Sequence, residues 1–101
     1  MRCKVILAAD SAVEIISELE QVDRKHILIL LKEFNSYNEA EEYVLSKECV
    51  YSSYFVIEIA DIIMVIPKRE IGKYNDFTLL KAFVTKEKAE KYKDDCYNLT
   101  P

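Results

Sequence analysis

The sequence predicts one α+β domain with about five strands in a mixed or antiparallel sheet and three helices, in the order βαβαβββα, over residues 1–101. Three observations carry that prediction. The chain has 101 residues, half of them apolar, with one glycine and two prolines, which suits a single core and leaves no linker. Short runs rich in Val, Ile and Phe alternate with amphipathic stretches opened by hydroxyl residues. Finally, LLKEFNSYNEAEEY at 30–43 recurs as LLKAFVTKEKAEKY at 79–92, with seven of fourteen positions identical and an offset of 49.

The first element is a strand over Lys4 to Ala8; its apolar run ends at Asp10, too soon for a secretory leader. A helix over about 11–21 is expected next. Ser11 and Glu14 have the spacing of a capping box, Ala12, Ile15, Ile16 and Leu19 fall at helical intervals, and Glu14, Glu18 and Gln21 form an acidic outer face. The run Ile27 to Phe34 is read as a strand because its second copy contains Phe77, Thr78, Phe83 and Val84.

Ser36 and Glu39 then open a helix that carries Ala40 and Tyr43 on one side, and Thr85 and Glu87 open its counterpart with Ala89 and Tyr92. The two helices are expected on one face of the sheet. The flanks of the copies do not match in an alignment at 49, which favours similar packing demands over a copied unit, and two copies are too few for a solenoid. Between the copies, Tyr54 to Ile66 is too long for one strand and is expected to fold as a hairpin at Ala60–Asp61, with strands near 53–59 and 62–67. An exposed loop then runs from Pro67 to Asp76 around Gly72.

Composition excludes several functions. Net charge is −4; residues 1–49 hold ten acids and six bases, and residues 50–101 hold eight of each. Lys86, Lys88, Lys91 and Lys93 alternate with Glu87, Glu90, Asp94 and Asp95, a solvated helix face and not a phosphate-binding patch, so direct nucleic-acid binding is not expected. No apolar run is long enough to cross a membrane. Cys3, Cys49 and Cys96 are far apart and there is one histidine, His26; no disulfide framework or zinc site follows, and a cytoplasmic location does. One glycine rules out a Gly-rich phosphate loop.

Glu58 and Asp61 are the acids of the apolar centre, yet positions three apart on a strand face opposite ways. No catalytic, cofactor or metal residue is therefore assigned. An enzyme acting on a small ligand or nucleotide through Glu58, Asp61 or His26 is the alternative reading. Rich in Lys, Glu, Ile, Asn and Tyr and without catalytic motifs, the chain resembles in composition the small accessory proteins of phages and other mobile elements. That resemblance implies a protein-binding module that inhibits a host protein, of the host-takeover or anti-defence type, by covering its surface. The expected contact residues are Glu14, Glu18 and Gln21 of the acidic helix, with Lys68, Arg69, Lys73 and Tyr74 of the 67–76 loop. Self-association as a homodimer through an outer strand, 4–8 or 77–84, is a further arrangement.

Overall fold

The computed structural model describes residues 2–98. Six strands form one sheet: β1 Cys3–Ala8, β2 Ala12–Ser17, β3 Ile27–Phe34, β4 Tyr54–Ile59, β5 Ile62–Pro67 and β6 Thr78–Phe83. Two α-helices, α1 Tyr37–Leu45 and α2 Lys86–Asn98, pack on it, and 3-10 turns at Arg24–His26 and Lys68–Lys73 precede β3 and β6. The α+β class stands, with an antiparallel sheet and the element order βββαβββα.

The expected helix over 11–21 is a strand. Ser11 lies at φ 68 in a tight turn, its N–H bonds to the Ala8 carbonyl at 3.0 Å, and β2 runs back along β1 from Leu7↔Val13 to Cys3↔Ser17. The reason is burial on both faces. Val13 joins the core beneath α1, with Ile15 packed against it, while Ala12 and Ile16 join the core beneath α2. A strand covered on both sides shows no polar alternation, and β-branched Val13, Ile15 and Ile16 suit the pleat. The predicted hairpin is present: Ala60 and Asp61 both have positive φ, the backbone that a two-residue turn between twisted strands needs. The segment expected as a 67–76 loop winds into a 3-10 turn.

Across the sheet the strand order is β3-β1-β2-β6-β4-β5, with every neighbouring pair antiparallel. The chain is thus two βββα units side by side, β1β2β3α1 and β4β5β6α2, each with its third strand, first strand and second strand in that spatial order. Strand directions reverse from one unit to the next and the faces exchange. Ala40 and Val44 of α1 pack with Val5, Leu7 and Val13, whereas Ala89 of α2 packs with Val56 and Phe83 on the opposite side. The helices therefore lie on opposite faces, not on one.

The repeat extends into backbone irregularities. Pairing of β1 with β3 skips Leu31 between Val5↔Lys32 and Ile6↔Leu30; pairing of β4 with β6 skips Leu80 between Val56↔Lys81 and Ile57↔Leu79. Each extra residue is a β-bulge, which twists and bends its strand. The bulges sit at the repeated Leu-Leu-Lys, and the strands facing them also repeat: Val5, Ile6, Ala9 and Asp10 return as Val56, Ile57, Ala60 and Asp61. That second match has an offset of 51, so an alignment at 49 hides it.

Candidate functional site

The sheet has two outer strands, β3 and β5; the segments expected at an edge, 4–8 and 77–84, contain β1 and β6 and lie inside it. β3 is eight residues long, and Leu28, Ile29 and Leu30 are 64%, 40% and 51% exposed. Soluble sheets ordinarily guard such an edge with charge, proline or a covering element. Lys32 and Glu33 supply charge near the end of β3, and the strand bulges at Leu28 and Leu31, but its first half carries no charge. Among the described residues no side chain hydrogen-bonds to the β3 backbone.

β5 is guarded differently. The Tyr97 hydroxyl, at the end of α2, accepts from the Ile63 N–H at 3.1 Å and donates to the Ile63 carbonyl at 3.2 Å. Both backbone groups that Ile63 turns away from β4 are thereby taken. One edge is open and apolar, and the other is closed at its centre.

A second feature sits where the units join. β2 and β6 pair only through Ala12↔Phe83 and Val13↔Ala82, then diverge, leaving a cleft of about 260 Å³ lined by Glu14, Ile15, Leu79, Lys81, Tyr37 and Tyr92. Glu14 Oε2 lies 2.7 Å from His26 Nε2 and 3.7 Å from Lys81 Nζ. Asp10 completes a group whose ligand atoms all fall within 4.8 Å of one another. These N and O donors are of the kind that hold a divalent cation, although Glu14 already neutralises Lys81 and engages His26.

Lys81 belongs to a device built twice. Its ammonium lies 5.9 Å from the Phe83 ring centre and 5.3 Å from that of Tyr92, and the rings are 5.5 Å apart. In the first unit Lys32 lies 5.4 Å from Phe34 and 5.6 Å from Tyr43, with the rings 5.3 Å apart. Burial pushes the Tyr92 hydroxyl above its ordinary pKa, helped by Cys96 and Glu14; burial does the same at Tyr43, helped by Cys49. The repeated Lys-x-Phe and Tyr thus encode a cation held over two rings, fastening each helix to its third strand.

The residues expected to contact a partner do not form one surface. With the helix gone, Glu14 points into the seam from β2, while Glu18 and Gln21 are exposed in the segment after it. Lys68 is structural: its ammonium donates to the Ser46 and Cys49 carbonyls, each at 2.6 Å, and burial lowers its pKa. Tyr74 packs against the core, Lys73 pairs with Glu70 at 3.4 Å, and Arg69 is exposed. Asp61 is exposed in the hairpin turn and Glu58 stands on β4 opposite Ile63, so the two central acids do not converge. Sequence reasoning missed the open β3 edge, since strand order sets which strand is outermost.

No protein-family model, curated protein or solved structure matches the chain. No helix among the described residues is long and apolar enough to cross a membrane.

Proposed function

We propose that the protein is a non-enzymatic protein-binding module that takes an extended segment of a host protein along β3 and covers the surface around it, an inhibitor's mode of action. The observation that supports this reading is the contrast between edges. β3 leaves three large apolar side chains and a row of backbone groups at the rim of the sheet, while β5 is closed by Tyr97. Strand addition draws affinity from main-chain hydrogen bonds and specificity from alternate side chains. Leu28 and Leu30 supply the apolar part, and Lys32 and Glu33 make register selective through charge. The acidic excess of the first unit, to which Glu18 and Gln21 add exposed polar groups, favours a partner whose surface around the strand is basic.

The test compares capture of host proteins by the wild-type chain and by Leu28→Lys/Leu30→Lys, with circular dichroism confirming that both are folded. The double variant should lose the wild-type partner, and that partner should protect the amides of 28–33 from hydrogen exchange. Undiminished capture by the double variant, or protection confined to other strands, refutes the reading.

A further inference from the structure

The two outer strands are counterparts of the pair that already joins the two units. Within each unit the second strand lies opposite the first in the same register: Leu7↔Val13 corresponds to Glu58↔Ile63, so β5 stands in the second unit where β2 stands in the first. By the repeat of 30–43 in 79–92, β3 corresponds to β6. The seam pairs β2 with β6 through Ala12↔Phe83 and Val13↔Ala82, and the Val84 N–H extends it to the Ser11 carbonyl at 3.0 Å. Its unformed equivalent is β5 of one molecule against β3 of another, with Ile62 opposite Phe34 and Ile63 opposite Glu33.

Direction and sidedness both permit this. Along the sheet the strands alternate without a break, so a second copy displaced by translation presents β3 antiparallel to β5. Because the units exchange faces, α1 of that copy would lie on the face opposite α2, as α1 and α2 already do within one chain. Ile62, 57% exposed, would be covered by such a neighbour.

One residue stands in the way. Ile63 is the counterpart of Val13, which pairs across the seam, and its N–H and carbonyl are the groups bonded to the Tyr97 hydroxyl. Tyr97 can reach them because α2 has thirteen residues where α1 has nine; α1 ends at Leu45 and leaves β2 open to β6. The length of the helix thus decides whether the second strand of a unit is joined or closed.

We infer that β5 and β3 are complementary edges of two copies of this chain, and that Tyr97 is the plug that keeps them from joining head to tail. This rests on the reading of β3 as a strand acceptor: closing β5 removes the commonest competing strand, the protein's own, and reserves β3 for its partner.

Sedimentation velocity over a concentration series tests the inference with wild type, Tyr97→Phe, Tyr97→Ala and Tyr97→Ala/Glu33→Pro. Tyr97→Phe removes only the hydroxyl, and Glu33→Pro removes the N–H opposite Ile63 at an edge position where proline is tolerated. Wild type should sediment as a monomer. Both single variants should form species whose mean mass climbs with concentration without a plateau, Tyr97→Ala more strongly, and Glu33→Pro should return Tyr97→Ala to monomer. Single variants that remain monomeric while the Ile63 amide exchanges faster than in wild type overturn the inference, as does assembly that stops at a dimer or survives Glu33→Pro. Glu33→Pro in the wild-type background separates the two readings. Loss of partner capture there, with Tyr97→Ala still monomeric, leaves β3 an acceptor and removes only the plug; capture unaffected by that change and by Leu28→Lys/Leu30→Lys removes both.

Discussion

The paired Lys–Phe–Tyr groups offer an internal comparison, since nearly the same geometry stands in two solvent environments. Lys32 is exposed, whereas the side chain of Lys81 is 24% exposed and lies against Glu14. A cation over an aromatic ring contributes about 0.5–1 kcal/mol when exposed and about 2 kcal/mol when desolvated. The distances to the tyrosine rings, 5.6 and 5.3 Å, differ too little to separate the two by themselves. A double-mutant cycle using Lys→Met, which keeps the apolar stem, and Tyr→Leu should therefore give a coupling of about 0.5 kcal/mol for Lys32–Tyr43 and about 1–1.5 kcal/mol for Lys81–Tyr92. Urea unfolding of each variant, with unchanged m-values, supplies the free energies. Equal couplings, or a larger one at Lys32, would show that burial does not set the strength of this contact. Couplings within error of zero at both sites would leave packing alone to fasten each helix to its strand.

Two further predictions concern the core and the alkaline range. Ser52 is fully buried and its hydroxyl donates to the Val44 carbonyl in the last turn of α1, with the Cys49 carbonyl at 3.3 Å; Ser52→Ala should cost about 1–3 kcal/mol in urea unfolding, and a loss within error of zero would exclude a structural role for that hydroxyl. Tyr37, Tyr43 and Tyr92 are each raised above their ordinary 10.0, chiefly by burial, so the stability they contribute is complete below pH 10.0 and is lost as pH climbs through their folded values. Lys68, lowered by burial, acts in the opposite sense, its contribution growing as pH approaches its ordinary 10.5. Above pH 10.5 Lys68 is neutral in both states and the tyrosines alone set the slope, which is negative; a urea midpoint that holds steady or rises there contradicts this, and Tyr43→Phe/Tyr92→Phe should flatten the fall.

What could be read from the sequence was local. The strand at 4–8, the hairpin at Ala60–Asp61 and the helices opened by Ser36 and Thr85 depend on neighbours a few residues away, and both caps are made, to the N–H groups of Glu39 and Lys88 at 3.2 and 3.3 Å; the strand at 27–34 was the exception, read through its second copy. β2 was illegible for a physical reason. When both faces of a strand are buried its apolar residues cease to alternate, and Ala12, Ile15, Ile16 and Leu19 then match a helix by coincidence. Glu14 added to the error, since its capping-box spacing to Ser11 is real but its carboxylate goes to His26 and Lys81. The corrective signal was available: once Val5-Ile6 and Ala9-Asp10 are set against Val56-Ile57 and Ala60-Asp61, the segment after Asp10 aligns with one read as a strand. Convergent packing would explain the repeated Phe and Tyr, but it does not explain matched bulges at Leu31 and Leu80 or the return of Val5-Ile6 and Ala9-Asp10 as Val56-Ile57 and Ala60-Asp61. A copied βββα unit explains all of them.

The candidate site was out of reach for a related physical cause. An edge is a property of strand order, and strand order here follows from how the second unit is set against the first: turned over, reversed, and shifted by three strands. That arrangement has translational character, so it closes nothing; any number of units could be added, and the outermost strands remain capable of the pairing seen at the seam. A chain with two such units must either accept association at both ends or treat its ends differently. Here the treatment is unequal. The longer α2 delivers a hydroxyl to Ile63, and among the described residues no side chain does the same for β3. Exposed Leu28 and Leu30 stand on the outer strand that Tyr97 does not reach, and that asymmetry is what the proposed strand pairing along β3 would use.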